Sequence, residues 1–187
     1  MNLCIDIDGT ITKPNDWLKR ANAYFGKNVA PEDVTVYEVH KVLGIERQEF
    51  EAFYQRYGKL IHWEAEIRKG VREFLDRMAL DHQIHIVTAR EERMRDITEK
   101  WLGAHGIPMD SLALLGNPNK VWKARQLESD LFIEDSYSNA IQLAEAGFEV
   151  LLLNCTYNQG ILPGNVSRVS GWHEIYQIVK KREKLTA

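Results

Sequence analysis

The segment Leu3-Cys4-Ile5-Asp6-Ile7-Asp8-Gly9-Thr10 limits the folds open to this chain more than any other. Leu3, Ile5 and Ile7 form an apolar run ended by Gly9, which reads as a short strand buried on both faces, as in a parallel sheet. Two carboxylates at the end of such a strand are out of place. Ionised Asp is almost never fully buried unless it is paired or holds a metal. Side chains along a strand alternate with a period of two, so Asp6 and Asp8 point to the same side. They meet at the strand tip, where open α/β sheets bind ligands, and Gly9 and Thr10 turn the chain away. This pattern describes a site rather than a core.

The rest of the chain narrows the setting. Its 187 residues suit one domain, or one domain with a sizeable insertion. With 44% hydrophobic and 27% charged residues the composition is that of a globular protein. A formal charge of -3 argues against a nucleic-acid-binding face. No apolar run approaches membrane-spanning length, and the first residues enter a strand instead of a signal peptide, so a cytoplasmic protein is expected. Cys4 and Cys155 lack Cys-x-x-Cys spacing, which points away from a zinc site or a disulfide framework.

From Lys13 to about Ile67 the pattern is helical. Asp16 to Gly26, Pro31 to Leu43 and Glu46 to Tyr57 each carry apolar residues at helical spacing, and no strand signal interrupts them. Beyond this stretch helices and short apolar strands alternate. Strands are expected at Gln83–Val87, Leu112–Leu115, Asp130–Ile133, Glu149–Leu153 and Val166–Val169. Helices are expected over Gly70–Leu80, Glu91–His105, Val121–Leu127, Asn139–Ala146 and Trp172–Glu183. Such alternation predicts an α/β fold: a doubly wound, Rossmann-like parallel sheet with a small helical cap inserted after the first strand. The core comprises residues 1–12 and 68–187, and the cap residues 13–67.

Three later segments carry chemistry. Thr88, at the end of Ile84-His85-Ile86-Val87, can donate to a phosphate oxygen beside the free N–H groups of a following helix, and Arg90 lies close by. Lys120 and Lys123 are each able to neutralise acids, and both stay candidates. Leu131-Phe132-Ile133 is a buried run ending in Glu134-Asp135. Neighbouring strand residues face opposite ways, so only one of these acids need enter the site. Asn139, one helical turn on, can orient it.

Asp6-Ile7-Asp8-Gly9-Thr10, Thr88-Ala89-Arg90, a lysine and Glu134-Asp135, in that order, resemble the motifs of the haloacid-dehalogenase-like (HAD) phosphatases. The Thr-Ala-Arg form with an aromatic-rich cap is similar to the pyrimidine 5′-deoxynucleotidase branch and its bacterial relatives. The resemblance implies Asp6 as nucleophile and Asp8 as acid and base. Gly9, Thr88, Arg90 and Lys120 would hold the substrate phosphate, with Lys120 preferred over Lys123. Mg²⁺ would sit on Asp6, the main-chain carbonyl of Asp8, and Asp135, with Glu134 outside. The implied reaction is phosphomonoester hydrolysis through an aspartyl-phosphate, with a (deoxy)nucleoside monophosphate favoured as substrate. Partners beyond a small phosphorylated substrate are not expected: no membrane, no nucleic acid, and a homodimer left open. Two alternatives stand beside it. One is a phosphatase for another small phosphoester or for nucleic-acid ends. The other is a receiver-like phospho-acceptor module, which would be shorter and lack the helical insertion.

Overall fold

The computed structural model describes residues 1–186. Six strands form one sheet: β1 (Asn2–Ile5), β2 (Gln83–Thr88), β3 (Ser111–Leu114), β4 (Leu131–Glu134), β5 (Val150–Leu153) and β6 (Val166–Val169). All neighbours are parallel, in the order β3-β2-β1-β4-β5-β6. The order reverses between β1 and β4. That reversal opens a crevice at their carboxyl ends, where doubly wound sheets take ligands.

The period-two alternation of the strands separates two cores. Leu3, Ile5, Ile84, Ile86, Leu131, Ile133, Leu151 and Leu153 face one way, against helices α4 (Val71–Met78), α5 (Arg95–Ala104) and α8 (Trp172–Thr186). Cys4, Phe132, Val150 and Leu152 face the other way, against α6 (Val121–Gln126) and α7 (Tyr137–Glu145). Strands with both faces covered are mostly apolar along their length, His85 of β2 being hydrogen-bonded to Ser111 of β3, and the charged residues collect at the strand ends.

Helices α1 (Leu18–Phe25), α2 (Val39–Leu43) and α3 (Arg47–Glu64) lie between β1 and α4 and share a small core of Ala21, Leu43, Phe53 and Ile61. The helix expected over Pro31–Leu43 is not continuous. A 3₁₀ turn at Pro31–Asp33 is capped by the Asp33 carboxylate, which accepts from the Ala30 N–H at 3.0 Å. The β-branched and aromatic run Val34-Thr35-Val36-Tyr37 then leaves helical geometry, and α2 starts only at Val39. Conversely, α3 runs past the expected end at Tyr57. Gly58 does not stop it, because that glycine packs against Met94, which a Cβ there would strike.

The chain enters and leaves this helical segment at one place. Thr12 pairs with Ile67 in an antiparallel bridge, Lys13 donates from its N–H to the Glu66 carbonyl at 2.7 Å, and Arg68 donates to the Ile11 carbonyl at 2.9 Å. Two buried indoles fix the junction. Trp101 Nε1–H donates to the Ala65 carbonyl at 3.0 Å, and Trp172 Nε1–H to the Thr10 carbonyl at 3.1 Å.

Trp172→Phe removes the donor and one of the two fused rings, leaving a buried carbonyl unpaired and a small cavity. We expect a loss of about 2–4 kcal/mol and a fall in Tm of at least roughly 4 °C by calorimetry. An unchanged Tm would show that the Thr10 carbonyl finds another donor.

Candidate active site

The site begins at the tips of β1 and β4. Cys4 lies opposite Phe132, and the Asp6 N–H donates to the Ile133 carbonyl at 3.1 Å. Continuing that register by two sets Asp6 level with Glu134, on the same side of the sheet. α6 packs on this side, and Lys120 stands at its entry. Lys120 is 2% exposed. Its ammonium contacts the Asp6 carboxylate directly and lies 2.7 Å from Glu134 Oε1. Lys123 instead meets Gln126 and the Trp122 ring, so of the two candidates Lys120 is the one the structure brings to the acids.

Glu134 does not lie outside the cluster, as the resemblance implies. It is fully buried, accepts from the N–H groups of Asp135 and Ser136 at 2.9 and 3.0 Å, and accepts from Asn139 Nδ2 at 2.9 Å. Its parity with Phe132 was the readable signal. Asp135 enters as well, because the chain turns immediately after β4. Its Oδ1 accepts from Thr10 Oγ1 at 3.4 Å and its Oδ2 from the Tyr157 hydroxyl at 2.6 Å. Asn158 donates to the Asp135 carbonyl at 2.6 Å, so the loop after β5 also holds this turn. Tyr157 and Asn158 carry no sequence signal, since their loop has no pattern tying it to the strand tips.

Asp8 faces different partners. Arg90 grips it with two hydrogen bonds, Nε to Oδ2 at 2.8 Å and Nη2 to Oδ1 at 2.6 Å, while Arg90 Nη1 donates to Thr98 Oγ1 at 3.0 Å. Arg90 therefore meets Asp8 rather than standing free for a phosphate. From α3, His62 Nδ1 lies 3.5 Å from Asp8 Oδ1, and His62 Nε2 lies 2.6 Å from the Tyr54 hydroxyl. A neutral imidazole protonated on Nδ1 satisfies both contacts. Burial works to raise the Asp8 carboxyl, but the Arg90 guanidinium and His62 outweigh it and hold it well below the usual carboxylate range. Thr88 is buried at the end of β2, where its Oγ1 accepts from the Arg90 N–H at 3.2 Å.

Gly9 is required by space as well as by conformation. Its φ is +81°, and a Cβ there would overlap the Asp135 carboxylate and the Tyr157 hydroxyl. Its N–H does not face a phosphate as the resemblance implies, because it donates to Thr12 Oγ1 at 2.9 Å. Arg68 Nε donates to the Gly9 carbonyl at 2.8 Å and pins the turn from the other side.

The donor set suits a divalent cation. Ligand atoms of Asp6, Glu134 and Asp135 lie within 4.8 Å of one another, and all three residues are buried. Lys120 supplies one positive charge for three carboxylates, since Arg90 is committed to Asp8. Burial accordingly pushes both the Asp6 and Asp135 carboxyls up, with neighbouring acids adding to it and Lys120 opposing. Glu134 already has Lys120, two N–H groups and Asn139. Asp6 and Asp135 carry fewer such partners and could hold a metal, and an all-oxygen set suits a hard divalent ion.

A cavity of about 270 Å³ opens from Asp8, Gly9 and Asp135 toward the inserted helices, where Trp17, Phe50 and Tyr54 line it. Asp16, which reads in the sequence as a helix start, instead lies before α1 on the cavity wall. Its Oδ1 accepts from the Glu66 N–H at 3.4 Å, and its buried Oδ2 has no partner. Burial pushes the Asp16 carboxyl up to about 7. Proton uptake by the native state alone therefore favours folding below that pH, and this support is lost as pH rises from about 4 through 7. Asp16→Asn removes the effect. Allowing for partial exposure, the variant should gain about 1–3 kcal/mol over the parent on going from pH 5 to pH 8, read from denaturant melts. A difference that stays constant with pH would refute the assignment.

Comparison with known proteins agrees with this geometry. Residues 1–185 match the family described as 5′ nucleotidase, deoxy (pyrimidine), cytosolic type C protein. A nucleotidase of Clostridium acetobutylicum is 42% identical over 181 residues, covering 97% of this chain and 94% of that protein. YqfW of Bacillus subtilis is 34% identical over 178 residues, covering 95% and 92%. Among solved structures, the haloacid dehalogenase-like hydrolase SP0104 of Streptococcus pneumoniae superposes with a TM-score of 0.72 at 14% identity, covering 95% of this chain and 97% of that one. YfnB of Bacillus subtilis, a HAD-hydrolase solved bound to magnesium, gives 0.66 at 15%, with the same coverage. The chain belongs to the type C 5′-nucleotidase family of HAD-like phosphoric monoester hydrolases.

Proposed function

We propose that this nucleotidase hydrolyses (deoxy)nucleoside 5′-monophosphates with Mg²⁺, through an aspartyl-phosphate on Asp6. The observation that carries the reading is the shortage of positive charge at the strand tips, where Lys120 alone faces Asp6, Glu134 and Asp135. Such a site is completed by a divalent cation and a phosphate together. Asp6 and Asp135, with the main-chain carbonyl of Asp8, would hold the metal, and a magnesium-bound neighbour of the same fold supports that choice. Bound there, Mg²⁺ supplies the charge that lets an anionic nucleophile approach an anionic phosphate.

Asp6 attacks phosphorus in line, and the P–O bond to the nucleoside breaks as the P–O bond to Asp6 forms. Lys120 and Thr88 steady the transferring group, where positioning and electrostatics supply most of the catalysis. Asp8 gives the leaving oxygen its proton, then takes one from the water that hydrolyses the aspartyl-phosphate. Free of substrate, Asp8 is held ionised by Arg90. An arriving phosphate competes for the guanidinium, which releases the carboxylate to take up a proton. Residues 13–67 serve as the cap domain over a core of residues 1–12 and 68–187, and the aromatic wall of the cavity stacks the base. Two buried free thiols, Cys4 and Cys155, suit a reducing, cytoplasmic setting.

The test is turnover of a panel of nucleoside monophosphates and sugar phosphates. Nucleotides should lead, chelation should abolish turnover, Mg²⁺ should restore it, and Asp6→Asn should fall to background while remaining folded. Turnover that survives exhaustive chelation, or an Asp6→Asn variant at a tenth of parental rate, would overturn the reading. Asp8→Asn keeps the main-chain carbonyl and loses the acid and base, a change worth about 10²–10⁴ in rate on nucleotides. With p-nitrophenyl phosphate the leaving group needs no proton. This variant should therefore release a burst near one equivalent per enzyme and keep phosphate on Asp6. Parental steady-state turnover without a burst would remove Asp8 from both roles.

A further inference from the structure

Helix α3 carries a polar pair, Tyr54 and His62, two turns apart, and the His62 side chain is only 6% exposed. The inserted helices pack through Ala21, Leu43, Phe53 and Ile61. A buried imidazole adds nothing to such an apolar core and is costly there unless its nitrogens are paired. Both are. Nε2 lies 2.6 Å from the Tyr54 hydroxyl, and Nδ1 lies 3.5 Å from Asp8 Oδ1. The Tyr54 ring is fixed in turn from two sides. Phe50 stacks on it with centroids 6.3 Å apart, and the Arg93 guanidinium, from the segment after β2, lies 5.8 Å over it.

The direction of the hydrogens follows from Asp8. Gripped by Arg90 and ionised, its carboxylate can only accept, so the imidazole edge that faces it carries the hydrogen on Nδ1. A neutral ring then has its lone pair on Nε2, and the Tyr54 hydroxyl donates into it. This chain makes the two Asp8 oxygens unequal. Oδ1 faces Arg90 Nη2 at 2.6 Å as well as His62, whereas Oδ2 has Arg90 Nε at 2.8 Å. When a phosphate draws the guanidinium away, Oδ1 keeps a donor and Oδ2 does not. At 3.5 Å the His62 contact is long while Arg90 holds the same oxygen, and catalytic hydrogen bonds of this kind tighten once substrate is in place. We propose that His62 is a positioning residue for Asp8: its Nδ1–H anchors Oδ1, Tyr54 fixes the imidazole, and Oδ2 is left to give the leaving oxygen its proton and to take one from water. The proposal rests on the nucleotidase reading given above, with Asp8 as acid and base. It gives the inserted helices a part in the chemistry besides any contact with the nucleotide.

The experiment compares the parent with His62→Phe, His62→Asn, Tyr54→Phe and Asp8→Asn, all with Mg²⁺. It measures kcat and KM on thymidine 5′-monophosphate, and the first-turnover rate of nitrophenol release from p-nitrophenyl phosphate. A nucleoside leaving group needs the proton from Asp8 and nitrophenolate does not, so a residue acting through Asp8 separates the two readings. His62→Phe should lower nucleotide kcat about 10-fold, the worth of one hydrogen bond to a charged group. KM should stay within about twofold and nitrophenol release should stay near the parental rate. His62→Asn sets an amide N–H near the place of Nδ1 and should recover most of the loss. Tyr54→Phe should cost about threefold in the parent and nothing further in the His62→Phe background, because it acts through the imidazole. If His62→Phe does not fold, Tyr54→Phe decides on the same contrast between substrates. Parental nucleotide kcat would overturn the proposal. So would nitrophenol release slowed as much as nucleotide turnover, which would give His62 a purely architectural part. Where Asp8→Asn loses nucleotide turnover and His62→Phe does not, the nucleotidase reading stands and the proposal falls. Where Asp8→Asn also turns over the nucleotide at the parental rate, the proposal and the acid–base reading fall together.

Discussion

Lys120 is buried against two carboxylates with a third beside them, and most of the site's construction follows from that shortage of positive charge. An ionised carboxylate removed from water without a partner is among the costliest groups a fold can hold. Here the cost is contained by local hydrogen bonding. Glu134 takes two main-chain N–H groups and an amide, and Asp135 takes two hydroxyls. Asp8 is separated from the group by its own guanidinium. What stays uncompensated is concentrated on Asp6 and Asp135, the two groups with most to gain from a bound cation.

The electrostatics divide two chemically identical residues into different tasks. Asp6 and Asp8 lie two positions apart just past the end of β1, yet one meets an ammonium shared with a second acid and the other a bidentate guanidinium. Burial raises the first, and Arg90 with His62 depresses the second. Because Arg90 comes from the loop after β2 and His62 from α3, the state of Asp8 depends on how core and inserted helices meet. The state of Asp6 is set first by burial, with Lys120 and Glu134 acting on it most strongly among the charged groups.

The parallel sheet was legible from its apolar runs, as was the gathering of acids at the ends of two of them, whereas Lys120 follows no apolar run and is set apart from Lys123 only by its buried contacts. Glu134 was readable in principle from its parity with Phe132, but ending the strand at Ile133 hid it. Other features were beyond local reading. Val34 to Tyr37 abandon the helix that Pro31 begins, and Thr156 Oγ1 donates to the Val34 carbonyl at 2.5 Å, a contact made across most of the chain. Tyr157 and Asn158 reach Asp135 from a loop whose placement is set by β5 and by Arg168, which donates to the Asn158 carbonyl at 2.9 Å. The helix expected from Asp16 on apolar spacing begins only at Leu18, and the tertiary arrangement leaves one Asp16 oxygen buried without a partner.

The paired linkers at Thr12 and Ile67 bear on how such a protein can diverge. Since the two chain ends of the insertion are hydrogen-bonded to each other, the sheet sees a junction of constant width whatever lies between Lys13 and Glu66. The closure entropy of the intervening segment grows only slowly with its length. Helices there can be lengthened or shortened without moving β1 against β4, provided that α3 still carries His62 to Asp8.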